Sequence, residues 1–163
     1  PLLAFTRNTG PTLSAFNAWV VLKGLETLDL RIRRQSDNAL EVGRFLEQRV
    51  EKVLHPGLPS HPQHNVAMSQ MEAAGPIFSL YVGGGRARAH GFLNALNLID
   101  ISNNIGDSRS LMCHPSTTTH HGLGEEGRLE IGITEDMIRI NVGLEDPVDL
   151  LEDLDQALSS VGL

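Results

Sequence analysis

The sequence predicts a small α/β domain of the α+β type, in which a short, mostly antiparallel sheet carries helices on one face. Three observations lead to this fold. Helical and strand-like stretches alternate along the chain, but the strands are short, which favours antiparallel or mixed pairing over a fully parallel sheet. The chain has 163 residues, which is about one domain. Its hydrophobic fraction of 40% and charged fraction of 20% are typical of a globular protein.

The helices are predicted from apolar residues that recur about every 3.6 positions. A first short helix ends at Gly24, and Thr27 can cap a second, exposed amphipathic helix that runs to Arg49. The last helix is predicted to begin with Asp146 as its cap and Pro147 at its first position, and its acidic residues are predicted to lie at its N-terminus and on its solvated face. Shorter helices are predicted over 63–71, 86–96 and 125–131.

Five short apolar runs predict the strands, and the last of them carries the most informative residue. The runs are 50–54, an edge strand, and 77–82, 98–102, 110–113 and 137–142. In the last run, Ile138, Ile140 and Val142 alternate onto one face, which the Leu-rich final helix can cover. Arg139 then lies on the uncovered face as a planar donor suited to a carboxylate. The more ordinary alternative is a surface arginine paired with a neighbouring acid.

Charge and composition exclude several classes of protein. Residues 1–121 carry 11 basic and 9 acidic side chains, whereas residues 122–163 carry 2 basic and 11 acidic ones, which makes the second part strongly negative. A nucleic-acid binder needs a basic stripe and stacking aromatics, so no nucleic-acid partner is expected. No run of 18 apolar residues predicts a transmembrane helix. The single cysteine, Cys113, cannot form an internal disulfide, so a cytoplasmic location is the default expectation.

Two other patterns suggest ligand sites only weakly. Cys113, His114, His120 and His121 invite comparison with a zinc site, but their spacing fits no tetrahedral template. The glycines at 83–85 precede a predicted helix, as in a phosphate-binding loop, yet the nucleotide fingerprints are missing. We therefore predict no metal ligand in this chain and interpret the glycines as a turn.

Several longer motifs occur together and in a fixed order. They are Gly10–Trp19, Leu22–Leu28, His55–Leu58, Ser60–His64, Ser110-Leu111 with His114-Pro115 and Thr119-His120, and Ile138–Asp146. With these motifs the sequence resembles the pyridoxal-phosphate enzymes of cysteine and methionine metabolism grouped around cystathionine gamma-synthase. The loop Ile99–Asp107 is similar to that of the O-succinylhomoserine sulfhydrylase branch of the family.

The resemblance implies that the chain is the C-terminal domain of a fold-type I pyridoxal-phosphate transferase. Residues 1–24 would be a helical linker from a large cofactor domain, and residues 25–163 the domain that closes over the substrate. The family holds its cofactor on a lysine in a Ser-x-Thr-Lys motif, which neither Lys23 nor Lys52 matches. Pyridoxal phosphate is thus expected to bind the large domain, with no catalytic or cofactor-binding residue here and an inactive isolated chain.

Four substrate-binding residues are carried over from the family motifs. Arg139 matches the arginine that binds the α-carboxylate of the substrate, and Ser102 matches a serine beside that carboxylate. Asn103 would contribute through its backbone. Thr119 matches an active-site threonine whose hydroxyl suits a supporting bond to the arginine or the serine.

The function implied by the resemblance is replacement of the acyl group of O-succinyl-L-homoserine by sulfide, which gives L-homocysteine. Two alternatives stay open. One is a cystathionine synthase or lyase of the same family, and the other is a non-catalytic small-molecule-binding or oligomerisation module. The expected partners are the amino-acid substrate and further copies of the protein, a tetramer for the complete enzyme, with no nucleic acid and no membrane.

Overall fold

A computed structural model describes residues 2–10 and 12–163 of the chain. It divides the chain into two compact units, Pro1–Arg31 and Ile32–Leu163. The assignment of 1–24 as a linker and 25–163 as a capping domain concerns the roles of the segments, and it stays a prediction. Within the described residues, no helix combines the length and the apolar character needed to cross a bilayer.

The first unit contains two helices, α1 (Leu2–Thr9) and α2 (Ala15–Glu26). The predicted helix ending near Gly24 is thus present and runs two residues further. Its cap is Ser14, whose hydroxyl accepts a hydrogen bond from the amide of Asn17 at 3.1 Å. Neither helix buries a residue in the described part of the chain, although α2 is apolar on nearly all sides. A helix of that kind is normally covered by other protein.

The second unit is built on a five-stranded sheet in the order β1-β2-β5-β4-β3. Its strands are β1 (Lys52–Leu54), β2 (Ile77–Tyr81), β3 (Asp100–Ile101), β4 (Leu111–Cys113) and β5 (Met137–Asn141). Pairing is antiparallel except between β3 and β4, which run parallel. The mostly antiparallel sheet and the edge position of the first strand are therefore confirmed.

Of the remaining helices, one precedes the first strand, one follows the last strand and the others lie between strands. They are α3 (Leu28–Leu46), α4 (His64–Gln70), α5 (Gly85–Ala95), α6 (Gly124–Glu130) and α7 (Pro147–Ser160), with two 3-10 turns at Pro115–Thr117 and His121–Leu123. Thr27 immediately precedes α3 but is the C-cap of α2, where its amide donates to the carbonyl oxygen of Leu25; its hydroxyl accepts a hydrogen bond from Arg31 Nε at 3.2 Å. Asp146 caps α7 by accepting a hydrogen bond from the amide of Val148 at 2.9 Å, and Pro147 is its first residue.

One face of the sheet forms the hydrophobic core. Ile138 and Ile140 of β5 are buried there beside Phe78 and Leu80 of β2. Helices α3, α5 and α7 cover this face with a second set of apolar side chains, which includes Ala39, Val42, Leu46, Ala89, Phe92, Leu150, Leu154 and Leu158. The period-two pattern of β5 thus predicted its buried face correctly, and helices on one face are confirmed.

Two polar features of the helices differ from the sequence interpretation. The helix that was expected to be exposed, α3, buries Gln35 and Asn38, each about 1% exposed. The acidic stretch of α7 was expected to be solvated, but Asp153 is buried. Its carboxylate accepts hydrogen bonds from the amides of residues 97, 98 and 99 at 2.8, 3.0 and 3.1 Å. Both departures arise because buried loop backbone requires hydrogen-bond partners from packed side chains.

Candidate functional site

The face of the sheet opposite the core presents Arg139 near the middle of β5. Its cross-strand neighbours are Ser79 on β2 and Cys113 on β4. Arg139 is half-buried, and among the described residues no carboxylate lies within ion-pair distance of it. The alternative of a surface arginine paired with a neighbouring acid is thus not what the structure shows. The guanidinium keeps donors available for an anionic ligand.

The predicted uncovered face is only partly open. Asn141, two residues after Arg139, is about 1% exposed, because the loop after β3 folds across this end of the strand. Its side-chain oxygen accepts a hydrogen bond from the amide of Gly106 at 3.2 Å. Cys113 is also buried, and this burial raises the pKa of its thiol, while the neighbouring Arg139 acts in the opposite direction. The thiol is therefore kept neutral and forms part of the floor of the site.

The structure brings three of the four predicted residues close together. The guanidinium of Arg139 donates through Nη2 to the carbonyl oxygen of Asn103 at 2.7 Å, so the backbone of Asn103 contacts the arginine, and its contribution to substrate binding stays a prediction. Ser102 directly precedes it, and its hydroxyl accepts a hydrogen bond from the amide of Asn104 at 3.2 Å. The loop therefore places Ser102 and Asn103 beside the guanidinium.

Thr119 makes a different contact from the expected one. Its hydroxyl pairs with Nδ1 of His120 at 2.8 Å and not with Arg139 or Ser102. The residue is exposed at the start of the second 3-10 turn. Its predicted role at the substrate stays a prediction.

A polar network of Ser110, Gly143 and Glu145 lies at the end of the loop after β3, next to β4. Glu145 accepts hydrogen bonds from the amide and the hydroxyl of Ser110 at 2.6 and 2.8 Å. The same hydroxyl accepts from the amide of Gly143 at 2.8 Å. A Cβ at Gly143 would lie 2.5 Å from backbone atoms of the 108–109 segment, so only glycine fits there. Sequence reasoning did not find this network, although Gly143 and Glu145 lie within a quoted motif.

His114, considered above for zinc, is instead a buried structural residue. Its Nε2 lies 2.9 Å from the carbonyl oxygen of Glu135, and its Nδ1 lies 2.9 Å from the hydroxyl of Thr117. Burial is the main cause that lowers its pKa. The carboxylate of Glu135 pairs with Arg86 and Arg128, and these hydrogen bonds lower its pKa to about 2. Within the described residues, no three His, Cys, Asp or Glu side chains converge as metal ligands.

The two lysines of the chain have different surroundings: Lys23 is exposed on α2, and Lys52 lines a small cleft together with Glu47 and Glu51. Lys23 forms an exposed ion pair with Glu26 at 3.0 Å. Lys52, on the edge strand, lies 5.3 Å from the ring centroid of Tyr81. A lysine that forms a Schiff base needs a desolvated or electropositive environment, which neither position provides. The expectation that pyridoxal phosphate binds to residues outside this chain stays a prediction.

Comparison with known proteins identifies the family. A family model described as "Cys/Met metabolism PLP-dependent enzyme" matches residues 2–159. The chain belongs to this family. Within it, an O-succinylhomoserine sulfhydrylase of Mycobacterium tuberculosis is 46% identical over 98% of this chain and 41% of its own length. A cystathionine gamma-lyase of Mus musculus is 42% identical over 97% of this chain and 40% of its own length.

Solved structures agree with this family membership. The crystal structure of a candidate O-acetylhomoserine (thiol)-lyase from Campylobacter jejuni, with N'-pyridoxyl-lysine-5'-monophosphate, has a TM-score of 0.89 and 36% identity, covering 96% of this chain and 38% of that one. The present chain spans about two fifths of the length of the relatives that it matches. The α/β fold and the resemblance to pyridoxal-phosphate enzymes are thereby confirmed.

Proposed function

We propose that this chain is the substrate-capping, C-terminal part of a pyridoxal-phosphate-dependent O-succinylhomoserine sulfhydrylase. In the overall reaction, the bond between the γ-carbon and the succinyl oxygen breaks and a carbon–sulfur bond forms. O-Succinyl-L-homoserine and hydrogen sulfide thus give L-homocysteine and succinate. Since this chain holds no fitting lysine, the cofactor binds to residues outside it. The task of this chain is to bind and orient the amino-acid substrate.

A single observation carries this proposal. Arg139 presents a guanidinium that no carboxylate of the described chain neutralises and that the Asn103 carbonyl holds at 2.7 Å. A planar guanidinium fixed on a rigid strand suits two parallel hydrogen bonds to a carboxylate. Every amino-acid substrate carries an α-carboxylate. The site therefore matches a group that all substrates of such an enzyme share. The 46% identity to the mycobacterial O-succinylhomoserine sulfhydrylase supports O-succinylhomoserine as the acyl ester that is used.

Replacement of Arg139 in the complete enzyme tests the proposal. Charge-assisted hydrogen bonds contribute about 1.5–3 kcal/mol each. Arg139→Ala should therefore lower kcat/KM by a factor of about 30 to several thousand, and Arg139→Lys, which keeps the charge but loses the planar fork, should fall between. The free energy of unfolding should change by about 1 kcal/mol or less, because the side chain lies opposite the core. An alanine variant with unchanged kcat/KM would refute this role.

A second candidate, a cystathionine gamma-lyase, has the support of the mouse relative at 42% identity. Product analysis separates the two. With O-succinylhomoserine and sulfide, a sulfhydrylase forms homocysteine, whereas a lyase cleaves cystathionine without using the ester. A non-catalytic module would do neither in the complete protein.

Location and assembly complete the proposal. We place the enzyme in the cytoplasm as a homo-oligomer, a tetramer when complete, with no nucleic-acid or membrane partner. The first unit supports association, because its apolar side chains are exposed, among them Leu2 at 82%, Phe5 at 66% and Trp19 at 55%. Light scattering of the chain at high concentration tests this, and a strictly monomeric species would argue against it.

A further inference from the structure

The loop that joins β3 to β4 is firmly attached along its second half. The amide of Gly106 donates to Asn141 Oδ1 at 3.2 Å. The carbonyl oxygen of Asp107 accepts a hydrogen bond from Gln35 Nε2 at 2.7 Å, and that of Ser108 accepts one from the amide of Leu144 at 2.8 Å. Each of these three consecutive loop residues is therefore bound to a separate point of the folded domain.

The first half of the loop is attached differently. In the described part of the chain, one hydrogen bond joins residues 103–105 to another element, and it is the bond from Arg139 to the Asn103 carbonyl. The segment is bounded by Ser102, whose amide donates to Met112 at 2.9 Å, and by Gly106. Because a chain of so few residues has little slack, the position of the Asn103 carbonyl depends on where Gly106 and Asp107 are held.

Gln35 and Asn141 are unusual residues to find buried at these two points. Each is about 1% exposed, and Asn141 Nδ2 has no hydrogen-bond partner. A buried donor without a partner costs free energy, so an apolar side chain would disturb the packing less at position 141. Gln35 bridges two elements, since its amide also donates to the Val142 carbonyl at 3.2 Å. The burial of Gln35 and Asn141 is thus better explained by their holding of the loop than by a contribution to the free energy of unfolding.

We propose that Gln35 and Asn141 are positioning residues of the carboxylate site. They fix residues 106 and 107, and through them the Asn103 carbonyl, which in turn orients the guanidinium of Arg139 for a bidentate contact. That the ligand is a carboxylate rests on the proposed function above. The coupling from Gln35 and Asn141 to Arg139 rests on the loop alone and exists without any ligand.

The first experiment measures this coupling in the 163-residue chain without substrate. The Arg139 side-chain resonances are followed by ¹H–¹⁵N NMR in Gln35→Ala, Asn141→Ala and Ser36→Ala. Ser36 is the matched control, because it follows Gln35 on α3 and is also buried. Its hydroxyl donates within the helix, to the carbonyl oxygen of Ile32 at 2.7 Å, and not to the loop.

The outcomes of this experiment are distinct. We expect both loop variants to release the Arg139 guanidinium, seen as faster rotation and proton exchange, while Ser36→Ala leaves these signals as in wild type. Two variants on different elements guard against one that fails to fold. Unchanged Arg139 signals in a folded Gln35→Ala or Asn141→Ala chain would overturn the proposal, and so would an equal effect of Ser36→Ala.

The second experiment measures steady-state kinetics in the complete enzyme. Loss of one orienting hydrogen bond should raise KM for the amino-acid substrate about tenfold and leave kcat within about twofold. In an Arg139→Ala background the same replacements should have no further effect, because residues that act through one group are non-additive. Additive losses in that background would overturn the proposal. Absence of sulfhydrylase activity in wild type, with the NMR coupling present, would instead refute the proposed function and support the positioning role.

Discussion

Removal of the Asp153 carboxylate is expected to destabilise the domain more than any other acidic replacement in α7. The buried carboxylate accepts hydrogen bonds from three consecutive amides, those of residues 97–99, where the chain leaves α5 and approaches β3. The side-chain amide of Gln156 donates to the same carboxylate through Nε2, at 2.9 Å. Asp153 thus connects the last helix to the strand that leads into Ser102.

The size of the stability loss depends on whether water can reach each of the three backbone amides once the carboxylate is removed. Residues 97 and 98 are exposed, so water can replace the lost carboxylate there, at about 0.5–1 kcal/mol for each bond. Ile99 is about 4% exposed, and its amide would stay buried without a partner, which costs about 1–3 kcal/mol. Asp153→Ala should therefore lower the free energy of unfolding by about 2–5 kcal/mol. Asp153→Asn keeps one acceptor oxygen and should lose about half as much.

Urea denaturation followed by far-UV circular dichroism provides the measurement, with Glu152→Ala as the control. Glu152 is the preceding residue of the same helix and is exposed, so its removal should change stability by at most about 0.5 kcal/mol. Hydrogen exchange at the Ser102 amide should also accelerate in Asp153→Ala, because β3 loses its anchor. If Asp153→Ala unfolds within 1 kcal/mol of Glu152→Ala, the buried carboxylate does not stabilise this turn and the reasoning is wrong.

Three further predictions concern stability, pH and cofactor chemistry. Gly143→Ala should destabilise the chain by about 2–3 kcal/mol in urea denaturation, because its Cβ would meet backbone atoms at 2.5 Å; wild-type stability would contradict this. Burial holds the pKa values of His55 and His114 below the ordinary 6.5. As pH falls, these histidines take up protons in the unfolded chain before they do so in the folded one. The free energy of unfolding should therefore be highest above pH 6.5 and decrease below it. Denaturation at several pH values should show this decrease, and the dependence of the free energy of unfolding on pH should be weaker in His114→Gln. Borohydride treatment of the isolated chain with pyridoxal phosphate should leave Lys23 and Lys52 without site-specific labelling, as judged by peptide mapping against an exposed-lysine standard.

Periodicity predicted the local elements well because it reports which side of an element is buried. The alternation in β5 identified Ile138 and Ile140 as core residues, and Asp146 followed by Pro147 marked the start of the last helix. The same reasoning placed Arg139 on the opposite face. Side-chain alternation along a strand is a local property of the backbone, so it could be derived without knowing which strands pair.

The sequence by itself thus determined the fold class, the succession of strands and helices from α2 onward, the family and the orientation of Arg139, whereas α1 (Leu2–Thr9) was not predicted. Only the tertiary structure showed what surrounds that arginine. Gln35 lies 72 positions from Asp107 along the chain, and Asn141 lies 35 from Gly106, so no periodic pattern connects them. Their burial, like that of Asp153, arises because loop amides and carbonyls enclosed by the fold must find hydrogen-bond partners, and which side chain meets that need is decided only when distant segments pack together.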